Sequence, residues 1–179
     1  AKIQNQESTL KYLAKNRKDT DPNLYDHLNE TALSLRDSQA ALDRICSRDT
    51  VIDDIRLSIM GVEGQAGRLY WEAVGHVLPT TYEWAGRKGR GATDPINSLL
   101  NYGYGILYSR IEQAIILAGL DPYAGFLHAD RSGKPSLVLD LIEEFRQIAV
   151  DRLVIGLAAR QYKIEQDQQG RLCDDFRAS

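Results

Sequence analysis

The stretch GFLHADRSGKPSLVLDLIEEFR, residues 125–146, sets the fold class and poses the chemical question. Pro135 suits the first turn of a helix, where its missing N–H leaves no bond unmade. After it, Leu137, Val138, Leu141, Ile142, Phe145 and Ile148 recur at helical spacing and form a broad apolar stripe. Asp140, then Glu143 or Glu144, then Gln147 share the other face. The pattern predicts one helix from Pro135 to about residue 160. Acids on such a helix, preceded by His128, admit two readings. One is the solvated face of a core helix. The other is a set of oxygen donors, with an imidazole folded back over the helix start.

The same period governs the rest of the chain. Leu24, Leu28, Ala32, Leu35, Ala40, Leu42 and Ile45 predict a helix over 23–46, with Asp21-Pro22 as its start signal. Ile52, Ile55, Ile59, Val62, Ala66, Leu69, Ala73 and Val77 predict a second over roughly 48–77, ended by Pro79. Asp94-Pro95 starts another that runs to about 118, where Gly119 and Asp121-Pro122 stop it. No alternation is long enough for a strand, and there is no internal repeat. The expected architecture is all-α, a bundle-like set of helices around one core. It occupies 1–160, with a polar tail over 161–179 that is either a frayed end or the start of something further. The glycine-rich, basic GRKGRG at 86–91 reads as a mobile loop that contacts DNA, or as a plain linker. It lacks the G-x-x-x-x-G-K-[ST] order of a phosphate-cradling loop.

Composition narrows the function. A chain of 179 residues with 43% hydrophobic content supports one domain with a real core. A net charge of −3 gives no global reason to bind nucleic acid, so such binding must rest on local patches. Cys46 and Cys173 lack metal-ligand spacing and fit reduced thiols of a cytoplasmic protein. No apolar run approaches the ~20 residues of a membrane span, and the first residues lack the apolar core of a signal peptide.

A second acid matters. Glu63, in MGVEGQAGRLYW (60–71), lies inside an apolar helix face between Gly61 and Gly64, where backbone or a ligand can come close. Carboxylates and a histidine from separate helices are a normal way to build a divalent-metal site in a bundle. Carboxylate oxygens suit Mg²⁺ or Mn²⁺, and imidazole adds tolerance for Mn²⁺. An acidic cluster repels DNA unless cations surround it. Arg68 lies just beyond Glu63, Arg131 and Lys134 flank the turn after His128, and Arg146 follows Glu143 by one turn. Each is a candidate phosphate contact, with surface solubility or a local ion pair as the plainer reading. Tyr102, Tyr104 and Tyr108 suit base stacking, but their spacing equally suits helix packing.

Three blocks, taken in order, resemble the CRISPR-associated integrase and endonuclease of spacer acquisition. They are MGVEGQAGRLYW (60–71), DPINSLLNYGYGILYSRIEQAIILAGLDPYAGFLH (94–128) and GKPSLVLDLIEEFR (133–146), with Asn5-Gln6 fitting the start of that family's helical domain. The resemblance implies a carboxy-terminal helical catalytic domain, with the family's amino-terminal β-rich domain absent from this chain. It implies Glu63, His128 and an acid of the Asp140–Glu143 pair as catalytic residues and ligands of Mg²⁺ or Mn²⁺, the direct ligand being Asp140, Glu143 or both. It implies an aromatic near the site at Tyr108 and a basic turn at Lys134. The implied reaction is transesterification, in which the 3′-hydroxyl of a short DNA duplex attacks a phosphodiester at the repeat boundary; with water as nucleophile it becomes cleavage. Implied partners are double-stranded DNA, a second copy of the chain and a small CRISPR-associated subunit. A chain without the β domain is expected to integrate weakly. Two other readings stay open, a metal-dependent nuclease on branched DNA and a non-catalytic helical DNA-binding module.

Overall fold

The computed structural model describes residues 1–46, 51–128 and 133–173. It has six α-helices and, among the described residues, no β-strand: α1 Lys2–Ala14, α2 Pro22–Cys46, α3 Ile52–Val77, α4 Pro95–Leu117, α5 Ser136–Ile142 and α6 Arg152–Ala159. The all-α expectation holds. Asp21 accepts from Leu24 N at 3.1 Å, and Asp94 accepts from Asn97 N at 2.9 Å. These are the side-chain caps that the two Asp-Pro pairs announce. α1 is not anticipated above. Its stripe of Ile3, Leu10, Leu13 and Ala14 is diluted by Gln6 and Thr9, which are buried with it.

α1 packs against both α2 and α3. The main core joins Ile3 and Leu10 of α1, Leu28, Ala32 and Leu35 of α2, and Ala66, Tyr70, Ala73 and Val74 of α3. Ile96 and Leu100 of α4 and Val154, Ile155 and Ala158 of α6 complete it. Burial of α3 begins at Ile59, so Leu57 at 80% exposure and its neighbours project beyond this core. The second half of α4 forms a separate cluster with α5, of Ile111, Ile115, Val138 and Ile142. Residues 161–173 fold back: Ile164 and Leu172 join the main core, and the Tyr82 hydroxyl donates to the Tyr162 carbonyl at 2.8 Å.

The single helix expected from Pro135 to about 160 is interrupted, and this is a correction. After Ile142 the chain tightens, with Glu144 N and Phe145 N bonding to Leu141 O and Ile142 O at 3.2 and 3.0 Å. It then widens into a π-turn over Gln147–Asp151 before α6. The cause is tertiary. Asn5 Nδ2 of α1 takes the Glu144 carbonyl at 2.7 Å. Asp151, fully buried, accepts from the Tyr70 hydroxyl of α3 at 3.0 Å and from the Tyr104 hydroxyl of α4. The tightened turn followed by the widened one is the backbone that makes these bonds.

The segment before α5 is held as closely. Gly125 N donates to Ser136 Oγ at 3.0 Å, and Leu137 N donates to the Pro122 carbonyl at 3.0 Å. A Cβ on Gly125 would meet the Ser136 carbonyl carbon at 2.5 Å.

Two outcomes are expected. Gly125→Ala lowers stability by about 1–3 kcal/mol, because backbone must shift to admit the methyl; a reduced urea midpoint at unchanged slope checks this. For Asp151, burial raises the carboxyl pKa to about 6, against the lowering by Tyr104, Tyr70, Arg146 and Arg87. In the unfolded chain it ionises near the usual ~4. Its contribution is therefore fully present below about pH 4 and is lost as pH rises through about 6. The stability difference between wild type and Asp151→Asn should shift by about 2–3 kcal/mol against wild type over that window. A difference that stays constant with pH would contradict the assignment.

Candidate active site

Glu63 lies in the middle of α3, with Gly64 and Gly67 beside it, where no Cβ fills the space above the helix. These residues form one wall of a cavity of about 330 Å³. Lys2 and Gln6 of α1, Tyr104 of α4, and Glu143, Arg146 and Gln147 of the interrupted helix form the others, and Arg87 closes one end. Two carboxylates converge there on one ammonium: Lys2 Nζ is 3.4 Å from Glu63 Oε2 and 3.0 Å from Glu143 Oε2. The other oxygen of Glu143 is 2.6 Å from Arg146 Nη1. Gln6 Oε1, Gln147 Oε1 and Arg146 Nε are buried without a hydrogen-bond partner, and all three residues line this cavity. Orphaned polar atoms around a charged cavity suit a polar or ionic occupant.

Asp140 has a different setting. Its Oδ2 accepts from Phe126 N at 2.5 Å and Leu127 N at 2.9 Å; its Oδ1 accepts from His128 N at 3.0 Å and lies 2.6 Å from His128 Nδ1. Burial alone would raise its pKa. The imidazole and the three backbone N–H groups outweigh burial and hold the carboxyl below its ordinary value. Both oxygens are thus committed to holding His128. With Nδ1 on Asp140, the Nε2 of that ring has no hydrogen-bond partner among the described residues. Arg56 of α3 donates to the Phe126 carbonyl at 3.1 and 3.0 Å. Arg56 and Glu63 are seven residues apart, so they share a face of α3, about 10 Å from each other along its axis. The loop carrying His128 is therefore docked on the face of α3 that carries Glu63.

The structure thus brings Glu63 and Glu143 to one ammonium, and pairs His128 with Asp140. Among the described residues no three of His, Cys, Asp and Glu gather tightly enough to hold one cation. Lys2 stands where the two carboxylates meet.

Arg146 both pairs with Glu143 and lines the cavity, its guanidinium 4.8 Å from the Tyr104 ring centre. Arg68 is exposed and faces a neighbouring cavity of about 730 Å³, with Trp71, His76, Trp84 and Arg87. Gly67, Trp71 and Arg87 line both cavities, so the two lie side by side. Lys134 is exposed at the turn before α5, and Arg131 lies outside the described residues. Tyr108 packs on the α4–α5 cluster; Tyr104, one turn earlier, lines the acidic cavity.

Lys2 carries no signal in the sequence reading, and Tyr104 enters it only as one of three tyrosines suited to stacking or to packing. Arg87 belongs to the GRKGRG segment, and here the mobile-loop expectation is corrected. Asn97, 1% exposed, donates to the Gly86 carbonyl at 2.8 Å and accepts from Lys88 N and Arg87 Nη1, each at 2.9 Å. Asn101 accepts from Arg87 Nη2 at 2.7 Å and donates to the Gly89 carbonyl at 2.8 Å. The loop is laced to the first turns of α4, and Arg87 lies 5.2 Å from the Tyr104 ring centre. Two asparagines four apart behind an Asp-Pro start were the available signal.

Residues 1–175 match the profile of the family described as CRISPR associated protein Cas1. A CRISPR-associated endonuclease Cas1 from Archaeoglobus fulgidus is 44% identical over 172 residues, which is 92% of this chain and 49% of that protein. The chain spans about half the length of the curated relatives it matches. A partial Cas6-RT-Cas1–Cas2 complex superposes with a TM-score of 0.72 at 25% identity, over 99% of this chain and 54% of that one. A casposase bound to integration product superposes with a TM-score of 0.61 at 26% identity, over 97% and 49%. With the matched segment taking in every helix described above, the chain belongs to the CRISPR-associated Cas1 family.

Proposed function

We propose that this chain is the helical catalytic domain of a CRISPR adaptation integrase, which joins short DNA duplexes to the repeat by transesterification and cleaves DNA by the same displacement. The observation that carries this reading is the meeting of Glu63 and Glu143, from distant parts of the chain, on one ammonium in a polar cavity. The donor types suit Mg²⁺ or Mn²⁺: two carboxylates with orphaned amide oxygens in one cavity, and on a separate loop an imidazole held through Nδ1. Glu63, His128 and Glu143 would hold the ion. A divalent cation supplies Lewis acidity toward a phosphate oxygen and lowers the pKa of an attacking hydroxyl.

The chain's own residues do the rest. Asp140 keeps the proton on Nδ1 of His128, which fixes the ring and leaves Nε2 as a lone-pair donor. Arg146 and Arg87, braced against Tyr104, set positive charge at the cavity wall for the phosphate. The neighbouring cavity past Trp71 toward Arg68 and Trp84 offers cations and aromatic faces to the DNA strand. The attacking 3′-hydroxyl oxygen bonds to phosphorus as the target strand's oxygen leaves; water in its place yields cleavage. Double-stranded DNA, a second copy of the chain and a Cas2-type subunit are the partners. One solved relative is a complex with Cas2 and another is bound to an integration product, which supports the last step of this reading. Among the described residues no helix is long and apolar enough to cross a membrane, and we place the protein in the cytoplasm.

The test is a joining assay with a labelled 3′-hydroxyl duplex, a repeat-bearing target, Mn²⁺ and the small partner subunit. Joined products are expected. Glu63→Gln and His128→Ala should each lower the rate by about 10²-fold or more. Asp140→Asn, which loosens the ring but leaves the donors, should lower it by about 10–100-fold. Shortened products alone would favour a nuclease on branched DNA. DNA binding without any product would favour a non-catalytic module.

A further inference from the structure

The Lys2 ammonium touches both Glu63 and Glu143, through Oε2 of each, at 3.4 and 3.0 Å. Its side chain is 21% exposed, and theirs are 21% and 16% exposed. Two carboxylates brought this close, out of bulk water, repel each other, and the ammonium removes that repulsion. A divalent cation held by both carboxylates would compete with Nζ for them. Lys2 sits at the start of α1, whose position is set by the buried Ile3 and by Asn5 bonding to the Glu144 carbonyl. The ammonium is thus delivered to the cavity by the same contacts that hold Glu143 there. A four-carbon stem then allows it to withdraw without moving the helix.

We infer that Lys2 is the resident counter-ion of this site and competes with the divalent cation for Glu63 and Glu143, so that it sets the site's metal affinity. This rests on the metal-site reading proposed above. In the metal-free protein Lys2 holds the carboxylates together and ready. When the ion enters, the ammonium leaves and remains on the cavity wall as a cation beside Arg146. The cost of displacing Lys2 weakens metal binding, and the preformed carboxylate pair is its counterpart.

The experiment measures Mn²⁺ binding to the purified chain by loss of the aqueous Mn²⁺ paramagnetic resonance signal. Lys2→Met should bind Mn²⁺ about tenfold more tightly than wild type. Lys2→Arg, which keeps a cation there, should remain near wild type. Lys11→Met, which removes the same charge at the Glu7 pair on α1, should leave the affinity unchanged and so controls for net charge. Thermal melting gives a second readout. Lys2→Met should melt below wild type in chelator and gain more from saturating Mn²⁺ than wild type does. Unchanged or weaker Mn²⁺ binding in Lys2→Met, with Glu63→Gln abolishing binding, overturns the competition and leaves the metal site standing. If Glu63→Gln does not weaken binding, the metal-site reading itself falls, and the role of Lys2 with it.

Discussion

The Asp151 carboxylate, buried and accepting from two tyrosine hydroxyls, is the constraint on which the arrangement of this domain turns. Tyr70 comes from α3 and Tyr104 from α4, so one side chain ties three elements across the core. A buried acid left without these donors would be costly, by the several kcal/mol that an unpaired buried charge carries. Meeting both hydroxyls is what the π-turn over Gln147–Asp151 achieves. The widened backbone also sets where the preceding turn lies. Glu143 and Arg146 are delivered to the cavity, and the Glu144 carbonyl is left for Asn5. The break in the helix is thus a product of core packing, and the site is built on it. π-turns often occur at functional sites for this reason: a register change re-aims side chains without ending the helix.

Much of this was legible beforehand, and the parts that were not share a cause. α2, α3 and α4 could be read because their apolar period and their Asp-Pro or proline boundaries are local signals. α1 was hidden because Gln6 and Thr9 occupy core positions on its buried stripe. The interruption after Ile142 was hidden because the groups that cause it, Asn5, Tyr70 and Tyr104, are distant in sequence. Arg87 sits in a segment whose glycines and charges outweigh its one local clue, the Asn97 and Asn101 pair that fastens its backbone. Tyr104 and Tyr108 differ by about one helical turn, and only packing against α5 on one side and the acidic cavity on the other separates them.

The charge balance of the site shows that a net charge of −3 for the whole chain does not decide the local field. Glu63 and Glu143 face Lys2, Arg146 and Arg87 in one partly enclosed space. Short ion pairs there are screened less than surface pairs, so local sign matters more than the total. Arg146 and Arg87 are also stacked on Tyr104. That fixes their planes at little entropic cost on binding, where a free surface lysine would have to be ordered each time. A phosphate approaching this wall finds cations already in place, next to carboxylates whose repulsion is already cancelled.

The two acids of the interrupted helix divide their tasks by length. Aspartate at 140 is short enough to lie against the 126–128 backbone and take three N–H groups along with the imidazole. A glutamate there would carry its oxygens one methylene too far to take all four. Glutamate at 143, after the helix has ended, needs the extra reach to cross the cavity toward Lys2 and Glu63. The acid that satisfies its oxygens on backbone holds its neighbour still. The acid whose oxygens meet only side-chain cations can exchange those partners for another cation. The family resemblance leaves the donor as Asp140, Glu143 or both. The hydrogen bonds favour Glu143 for that role and make Asp140 the residue that positions His128, because four donors already occupy it.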